Sequence, residues 1–155
     1  MEISSQLWIL LDVIIASVLA GIVGFEREYA QKPAGLRTNM IVAGASCLFV
    51  AISKPLVNFM EEGGNSEYLD LDPIRVMQAI VIGVSFIGAG TVLKSSKDQD
   101  VLFLTTAATL LYSTGIGISV AVKQYILAIG LTIIILSINY LANLLNEMLE
   151  KKIGK

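Results

Sequence analysis

Five long runs of apolar residues, separated by short charged segments, constrain this chain more than any other feature. The runs cover about residues 7–25, 39–54, 74–93, 102–122 and 125–149. Most of them approach the roughly 20 residues that an α-helix needs to cross the hydrocarbon core of a bilayer. Charged residues make up only 15% of the chain, and ordinary soluble domains carry about 25%. The sequence therefore predicts an all-α, polytopic membrane bundle of five transmembrane helices, with residues 1–155 forming a single transmembrane domain.

The residue types that are missing exclude several functions. The chain has no His and one cysteine, Cys47, which excludes a His-based catalytic triad, a Cys-cluster zinc site and an intramolecular disulfide. A net charge of −2 with scattered basic residues is not the footprint of a nucleic-acid-binding protein. The sequence contains no phosphate-loop motif and no nucleophile–base motif. We therefore expect no catalytic residues, no bound cofactor and no enzymatic activity.

The distribution of Lys and Arg predicts the orientation of the chain. Eight of the 11 basic residues lie in the connections after the first and third runs and in the C-terminal tail, which alternate along the chain and so share one side. The other side has only Lys54, Arg75 and Lys123. Because cytoplasmic connections carry the excess of basic residues, we expect the N-terminus outside and the C-terminus inside.

Small and polar residues recur within the apolar runs at helical spacing. In the first run, Ala16, Ala20 and Gly24 follow one another at every fourth position, a pattern that lets helix backbones approach closely in lipid. We interpret such stripes as packing seams, with a direct role in a pore or a subunit interface as the alternative. The fourth run has the stripe Thr105, Thr109, Ser113, Gly117 and Ala121, and the fifth has the polar stripe Asn139, Asn143 and Asn146.

Asp12 is an acid within the first apolar run. Such a residue costs about 2.5–3.5 kcal/mol at the centre of a membrane helix and less near its end. Arg75 begins the third run on the same predicted side of the membrane, so we expect Asp12 to face the protein interior and to pair with Arg75. Three alternatives stay open for Asp12: a structural clamp, a site that handles ions or protons, and a surface acid that reaches the headgroups.

Three segments resemble a known family signature. They are residues 24–39, which contain GFEREY and KPAGLRTN, residues 85–91, SFIGAGT, and residues 104–110, LTTAATL. In this order they resemble the MgtC/SapB family of bacterial inner-membrane proteins, in the short type without the C-terminal ACT-like domain that many members carry. The chain departs from the family pattern at Ser85, Thr105 and Tyr112, where members commonly have Gly, Asn and, in some cases, Cys.

The resemblance implies a multi-pass protein of the bacterial plasma membrane that is linked to growth at low magnesium. It leaves two activities open, because members resemble both Mg²⁺ transporters and regulators of other membrane proteins, ATP synthase among them. Mg²⁺ is then either a ligand or the transported ion.

All three signature segments lie at cytoplasmic helix ends in the predicted topology. We expect their polar side chains to form one connected cluster, and Gly88 and Gly90 to allow close backbone approach. The cluster is either an ion-pair network that locks the helix ends or a binding site for a cation, an anion or a partner. Its expected members are Glu26, Arg27, Glu28, Arg37, Thr38, Asn39, Lys94, Thr105 and Thr106.

A metal site within this cluster would rest on Glu26 and Glu28. Carboxylate oxygens suit Mg²⁺, which prefers oxygen ligands and keeps part of its water shell. Residues two apart do not share a helix face, so both could bind one ion only if the helix ended between them.

Two hypotheses about function follow. The first is a non-enzymatic protein of magnesium homeostasis that acts through the cytoplasmic cluster by regulating another membrane protein. The alternative is a transporter or channel for Mg²⁺ or another ion. In either case we expect a homo-oligomer in contact with lipid and no nucleic-acid partner.

Overall fold

The computed structural model describes residues 3–62, 72–93 and 104–153 of the chain. These residues form five helices: α1 (Ile3–Tyr29), α2 (Leu36–Glu62), α3 (Pro73–Leu93), α4 (Leu104–Ala121) and α5 (Tyr125–Ile153). Each contains a stretch that is long and apolar enough to cross a membrane, and the described residues include no strand. The prediction of five apolar spans is therefore confirmed, and the chain is a multi-pass membrane protein in contact with lipid.

The second helix is longer than its apolar run. The apolar run ends near Lys54, next to Pro55, but α2 continues through Pro55 to Glu62. A proline inside a helix removes one backbone hydrogen bond, and transmembrane helices tolerate this because nearby groups can satisfy the freed backbone groups. The helix is thus long enough to span a bilayer on its own.

Contacts between helices define their directions. Asp12 contacts Tyr125 and Glu26 contacts Asn139, each pair 113 residues apart, so α1 and α5 run parallel. Asn39 contacts Ser113, 74 residues away, and Gly117 packs on Ala43, also 74 residues away (117 − 43), so α2 and α4 run parallel as well.

The remaining neighbours run antiparallel. On α1 and α2, Gly21 packs against Met40, whereas Gly24 packs against Leu36, so residue numbers rise on one helix as they fall on the other. Helix α4 occupies the centre, in contact with all four other helices. Its buried residues Leu110, Ile116 and Val120 form the middle of the core.

The helix seams are closed by direct backbone contact. A Cβ atom on Gly117 would overlap the carbonyl oxygen of Ala43, and one on Gly24 would lie 2.7 Å from the Cα of Leu36. Since neither position has room for a side chain, the small-residue stripes of α1 and α4 lie at packing seams at Gly24 and Gly117, whereas Thr105 of the α4 stripe is exposed.

The turn that closes α4 has a defined geometry. After α4, the amide of Lys123 donates to the carbonyl of Val120 and that of Gln124 donates to the carbonyl of Ser119, which is the Schellman arrangement. Lys123 adopts a positive φ of 63°, a conformation that glycine usually provides. We call the end of the bundle with this turn the Lys123 end, and the opposite end, with the α1–α2 turn, the Arg27 end.

Candidate functional site

Arg27 is a buried cation at the Arg27 end of the bundle. Its side chain is only 4% exposed, and its Nη2 donates a hydrogen bond of 2.8 Å to Oγ1 of Thr106 on α4. Its Nε is buried without a hydrogen-bond acceptor. Among the residues that the structure describes, the ion pair found joins Asp12 to Lys123 and does not involve Arg27. A buried charge normally has an opposite charge beside it, so Arg27 has capacity for a further acceptor.

A small pocket adjoins Arg27 where α1, α4 and α5 meet. Its volume is about 140 Å³. On one side Glu26 accepts a hydrogen bond of 2.6 Å from Nδ2 of Asn139, which ties α1 to α5. The lining residues are Glu26, Arg27, Ala30, Lys32, Thr105, Asn139, Ala142 and Asn143. We call these residues together with Thr106 the Arg27 site.

The structure separates the expected cytoplasmic cluster into parts. Glu26, Arg27, Thr105 and Thr106 come together in the Arg27 site. Glu28 is exposed instead, and its Oε2 accepts the amide of Leu36 at 3.0 Å, at the start of α2.

Three of the remaining expected members are on α2. Asn39 is fully buried, where its Oδ1 accepts from Oγ of Ser113 at 2.7 Å and its Nδ2 donates to the carbonyl of Gly35 at 2.9 Å. Arg37 and Thr38 are exposed. Lys94 lies outside the described residues. The structure therefore gives Glu28 and Asn39 hydrogen-bond partners outside the Arg27 site, because successive residues of a helix point to different sides.

The structure does not bring Glu26 and Glu28 together as metal ligands. Glu26 faces Asn139 of α5, whereas Glu28 faces the first turn of α2. Helix α1 continues to Tyr29, so the helix end that a shared ion would require is absent. Across residues 3–62, 72–93 and 104–153, no three acidic or thiol side chains are grouped so as to hold a metal ion.

The two glycines of the third segment differ in their surroundings. Gly88 is buried, and a Cβ there would lie 3.1 Å from the Cβ of Ala107 on α4. Gly90 is exposed, with nothing within 4 Å of such an atom. The expected close approach therefore occurs at Gly88 and not at Gly90.

At the Lys123 end, Asp12 has partners other than the one we expected. Its side chain is 1% exposed, its Oδ2 pairs with Nζ of Lys123, and its Oδ1 accepts from the Tyr125 hydroxyl at 2.8 Å. The expected pairing with Arg75 is wrong, because α3 packs mainly on α4 and α2, whereas α1 packs on α2, α4 and α5. The turn between α4 and α5 is therefore what faces Asp12.

Sequence reasoning missed four residues of these polar contacts in different ways. In the sequence, Lys123 bears only on the orientation of the chain, and Tyr125 only marks the start of a span. Asn139 and Ser113 belonged to the polar stripes of α5 and α4, so a contact between helices was foreseeable, but Glu26 and Asn39 were not identifiable as the partners.

Comparison with known proteins places the chain in a family. The model of the MgtC family matches residues 13–148. The chain is 36% identical over 132 residues to "Protein MgtC" of Salmonella typhimurium strain LT2, which covers 85% of this chain and 51% of the relative. It is 34% identical over 134 residues to "Protein SapB" of Bacillus subtilis, which covers 86% of this chain and 56% of the relative.

A third relative carries a transport name. "Putative magnesium transporter YhiD" of Escherichia coli K12 is 35% identical over 120 residues, which covers 77% of this chain and 54% of the relative. The chain thus spans about half the length of the curated relatives it matches. No solved structure matches it significantly. From the match to the family model over most of its length, the chain belongs to the MgtC family, a magnesium-linked family of bacterial plasma-membrane proteins.

Proposed function

We propose that the chain is a non-enzymatic protein of magnesium homeostasis that regulates another membrane protein through the Arg27 site. The observation that carries this proposal is the buried side chain of Arg27: its Nε has no hydrogen-bond acceptor among the residues that the structure describes, and the residue lines a pocket between α1, α4 and α5. An unsatisfied buried polar group costs about 1–3 kcal/mol. A ligand that supplied a hydrogen-bond acceptor to Arg27 would therefore stabilise the site.

The chemistry of the Arg27 site favours an acidic ligand. The pocket presents the cations Arg27 and Lys32 and the side-chain amides of Asn139 and Asn143. Its one carboxylate, Glu26, already accepts from Asn139. Two cations would repel a bare Mg²⁺ ion, whereas the planar fork of arginine binds a carboxylate or a phosphate well. We therefore propose that the ligand is an acidic group of the partner protein.

The interior of the bundle supports regulation over transport by one copy. Asp12, the acid most suited to handle an ion within the membrane, is paired with Lys123 and bonded to Tyr125. The seams of α1 with α2 and of α2 with α4 are in backbone contact at Gly24 and Gly117. These seams leave no room for a hydrated ion between the helices concerned.

The second candidate is transport of Mg²⁺ or another ion by a homo-oligomer. It is favoured by the printed name of the Escherichia coli relative, a "putative magnesium transporter". Since the seams described above are closed, the ion path in this case would lie between copies.

For the first candidate, regulation of another membrane protein, ATP synthase is one partner that the family resemblance implies.

A growth assay at low Mg²⁺ tests the Arg27 site. We expect Arg27→Lys and Thr106→Val to reduce growth to the level of cells that lack the protein, because the first removes the guanidinium fork and the second removes its described acceptor. The matched control is Arg37→Lys, at an exposed arginine outside the site, which should grow like wild type. Membrane abundance of each variant must be measured alongside.

Wild-type growth of both site variants at wild-type abundance would contradict the proposal.

Mg²⁺ flux into liposomes separates the two candidates. We expect liposomes with the pure protein to take up Mg²⁺ no faster than empty ones. Flux above that background, lost in a monomeric preparation, would favour the oligomeric transporter instead.

A further inference from the structure

A long groove runs between α2 and α3 on the outer surface of the bundle. Its volume is about 760 Å³, and it extends on α3 from Arg75 to Ile87 and on α2 from Ile41 to Leu56. At 1.5 Å per residue, the part on α3 is about 18 Å long. Because the hydrocarbon core of a bilayer is about 30 Å thick, a lipid chain within one leaflet reaches about half that depth. The groove is thus long enough for one acyl chain.

The walls of the groove are apolar except at one end. Its two hydroxyl groups are satisfied within α2, where Oγ of Ser46 donates to the carbonyl of Val42 and Oγ of Ser53 to that of Val50, both at 2.7 Å. The remaining polar side chain is Arg75, which is exposed at the Lys123 end of the groove. Within residues 3–62, 72–93 and 104–153, its guanidinium forms no ion pair.

This pattern specifies an amphiphile. An occupant must supply a long apolar tail along the walls and an anionic group at the end where α3 begins, which is the headgroup level for a helix that spans the membrane. An apolar helix of a second copy would cover the walls but would bring no anion to Arg75. A phospholipid supplies both parts in one molecule.

We propose that the α2–α3 groove binds an anionic phospholipid, with one acyl chain between the helices and the headgroup phosphate on Arg75. A zwitterionic phospholipid binds more weakly there, since its own cation offsets the phosphate. Arg75 lies at the opposite end of the bundle from the Arg27 site, so this proposal stands or falls independently of the regulatory function.

Tryptophan fluorescence can report on the groove directly. The chain has one Trp, Trp8, which lies outside this groove in the cavity beside Lys54 and Phe59. Replacing Trp8 with Phe and Phe49, in the groove wall, with Trp leaves a single reporter at the site. The reconstituted protein is then titrated with phosphatidylglycerol or phosphatidylcholine that carries bromine on its acyl chains, which quenches tryptophan on contact.

We expect brominated phosphatidylglycerol to quench at about a fivefold lower lipid fraction than brominated phosphatidylcholine, the effect of about one basic residue at an anionic membrane surface. Arg75→Gln should abolish this preference without reducing quenching by phosphatidylcholine. Lys54→Gln, a cation of α2 in the neighbouring cavity, should preserve it.

Filling the groove tests the acyl chain separately from the headgroup. A Cβ on Gly83, in the groove wall, meets nothing within 4 Å, so Gly83→Leu should fold and should reduce quenching by both lipids. Gly90→Leu is the matched control on the same helix, with equally open space and no place in the groove, and should leave quenching unchanged.

Equal quenching by both lipids in the reporter protein would overturn the anionic preference, and so would a preference that survives Arg75→Gln. Weak quenching by both lipids that increases on dilution of the protein in the membrane would mean that a second copy covers the groove, which also overturns the proposal.

Discussion

Asp12 illustrates at the residue scale how an acid is accommodated within an apolar helix. It is almost fully buried, and its two oxygens bind different partners, the Lys123 ammonium and the Tyr125 hydroxyl. Lys123 itself is about half exposed, at 52%. The desolvation cost therefore falls mainly on the carboxylate. Removing Lys123 should cost more stability than removing Asp12, because only Asp12 would be left as a buried charge.

We predict that Lys123→Met destabilises the protein more than Asp12→Asn. The first change leaves a buried carboxylate with only Tyr125, at a cost of about 1–3 kcal/mol. The second leaves a half-exposed lysine in water and an amide that can still accept from Tyr125. Thermal unfolding in detergent measures both, and the double variant should recover part of the loss. Equal losses in the two single variants would contradict this asymmetry.

The pH dependence of the same variants provides the control. Burial by itself would lower the pKa of Lys123, but the hydrogen bond and charge of Asp12, with smaller contributions from Tyr125, raise the pKa above its ordinary 10.5. Because the pKa is raised in the folded state, the stabilisation is complete below about pH 10.5 and is lost as the pH rises through the folded value. The gap between wild type and Lys123→Met should therefore stay constant from about pH 7 to 10 and narrow above that range.

At the scale of elements, the parallel pair of α2 and α4 depends on one missing side chain. Gly117 allows the two backbones to touch at Ala43, and the Asn39–Ser113 hydrogen bond lies one turn away along the same seam. Close approach and a buried polar contact reinforce each other here, since small residues at an interface bring interhelical donors and acceptors within reach.

We predict that Gly117→Ala destabilises the bundle by about 1–3 kcal/mol, the usual cost of overfilling a packed core. Gly115→Ala, two residues earlier on α4, should be neutral or slightly stabilising, because nothing lies within 4 Å of the added Cβ and alanine favours helix more than glycine. Unfolding temperatures of the two variants in the same detergent make the comparison. A harmless Gly117→Ala would mean that α2 and α4 are not in backbone contact.

At the scale of the whole molecule, the helix directions place the Arg27 site and the Asp12 pair at opposite ends of the bundle. The distance between them along α1, from Asp12 to Arg27, is about 22 Å for 15 residues at 1.5 Å each. Under the orientation that the basic residues favour, the Arg27 end faces the cytoplasm and the Lys123 end faces outward. The orientation decides from which side of the membrane a partner reaches the Arg27 site.

We predict that a cysteine at Gly64, in the connection after α2, is labelled by an impermeant thiol reagent in intact cells. A cysteine at Lys32, which is exposed in the α1–α2 turn, should be labelled only after the membrane is opened. The native Cys47 is fully buried and should not react in either case. The reverse labelling pattern would invert the topology and would place the Arg27 site outside the cell.

The sequence alone determined the number and approximate positions of the membrane helices, and with them the fold class. These properties are local, because the transfer of each apolar run into lipid depends only on the residues of that run. The family signature was likewise readable, since it consists of three short segments in order. The burial of Asp12 followed from its cost in lipid.

Only the tertiary structure decided which side chains meet. Arg27, near the end of α1, and Arg37, near the start of α2, lie within eleven residues of each other, and nothing in their local sequence marks Arg27 as the buried one. Three cations lie on the predicted side of the membrane that holds Asp12. Asp12 pairs with Lys123 and not with Arg75 because α5, and not α3, packs against α1. Partners more than 70 residues apart are set by how helices pack around α4, and that packing depends on side-chain shape across the whole bundle, which no single segment contains.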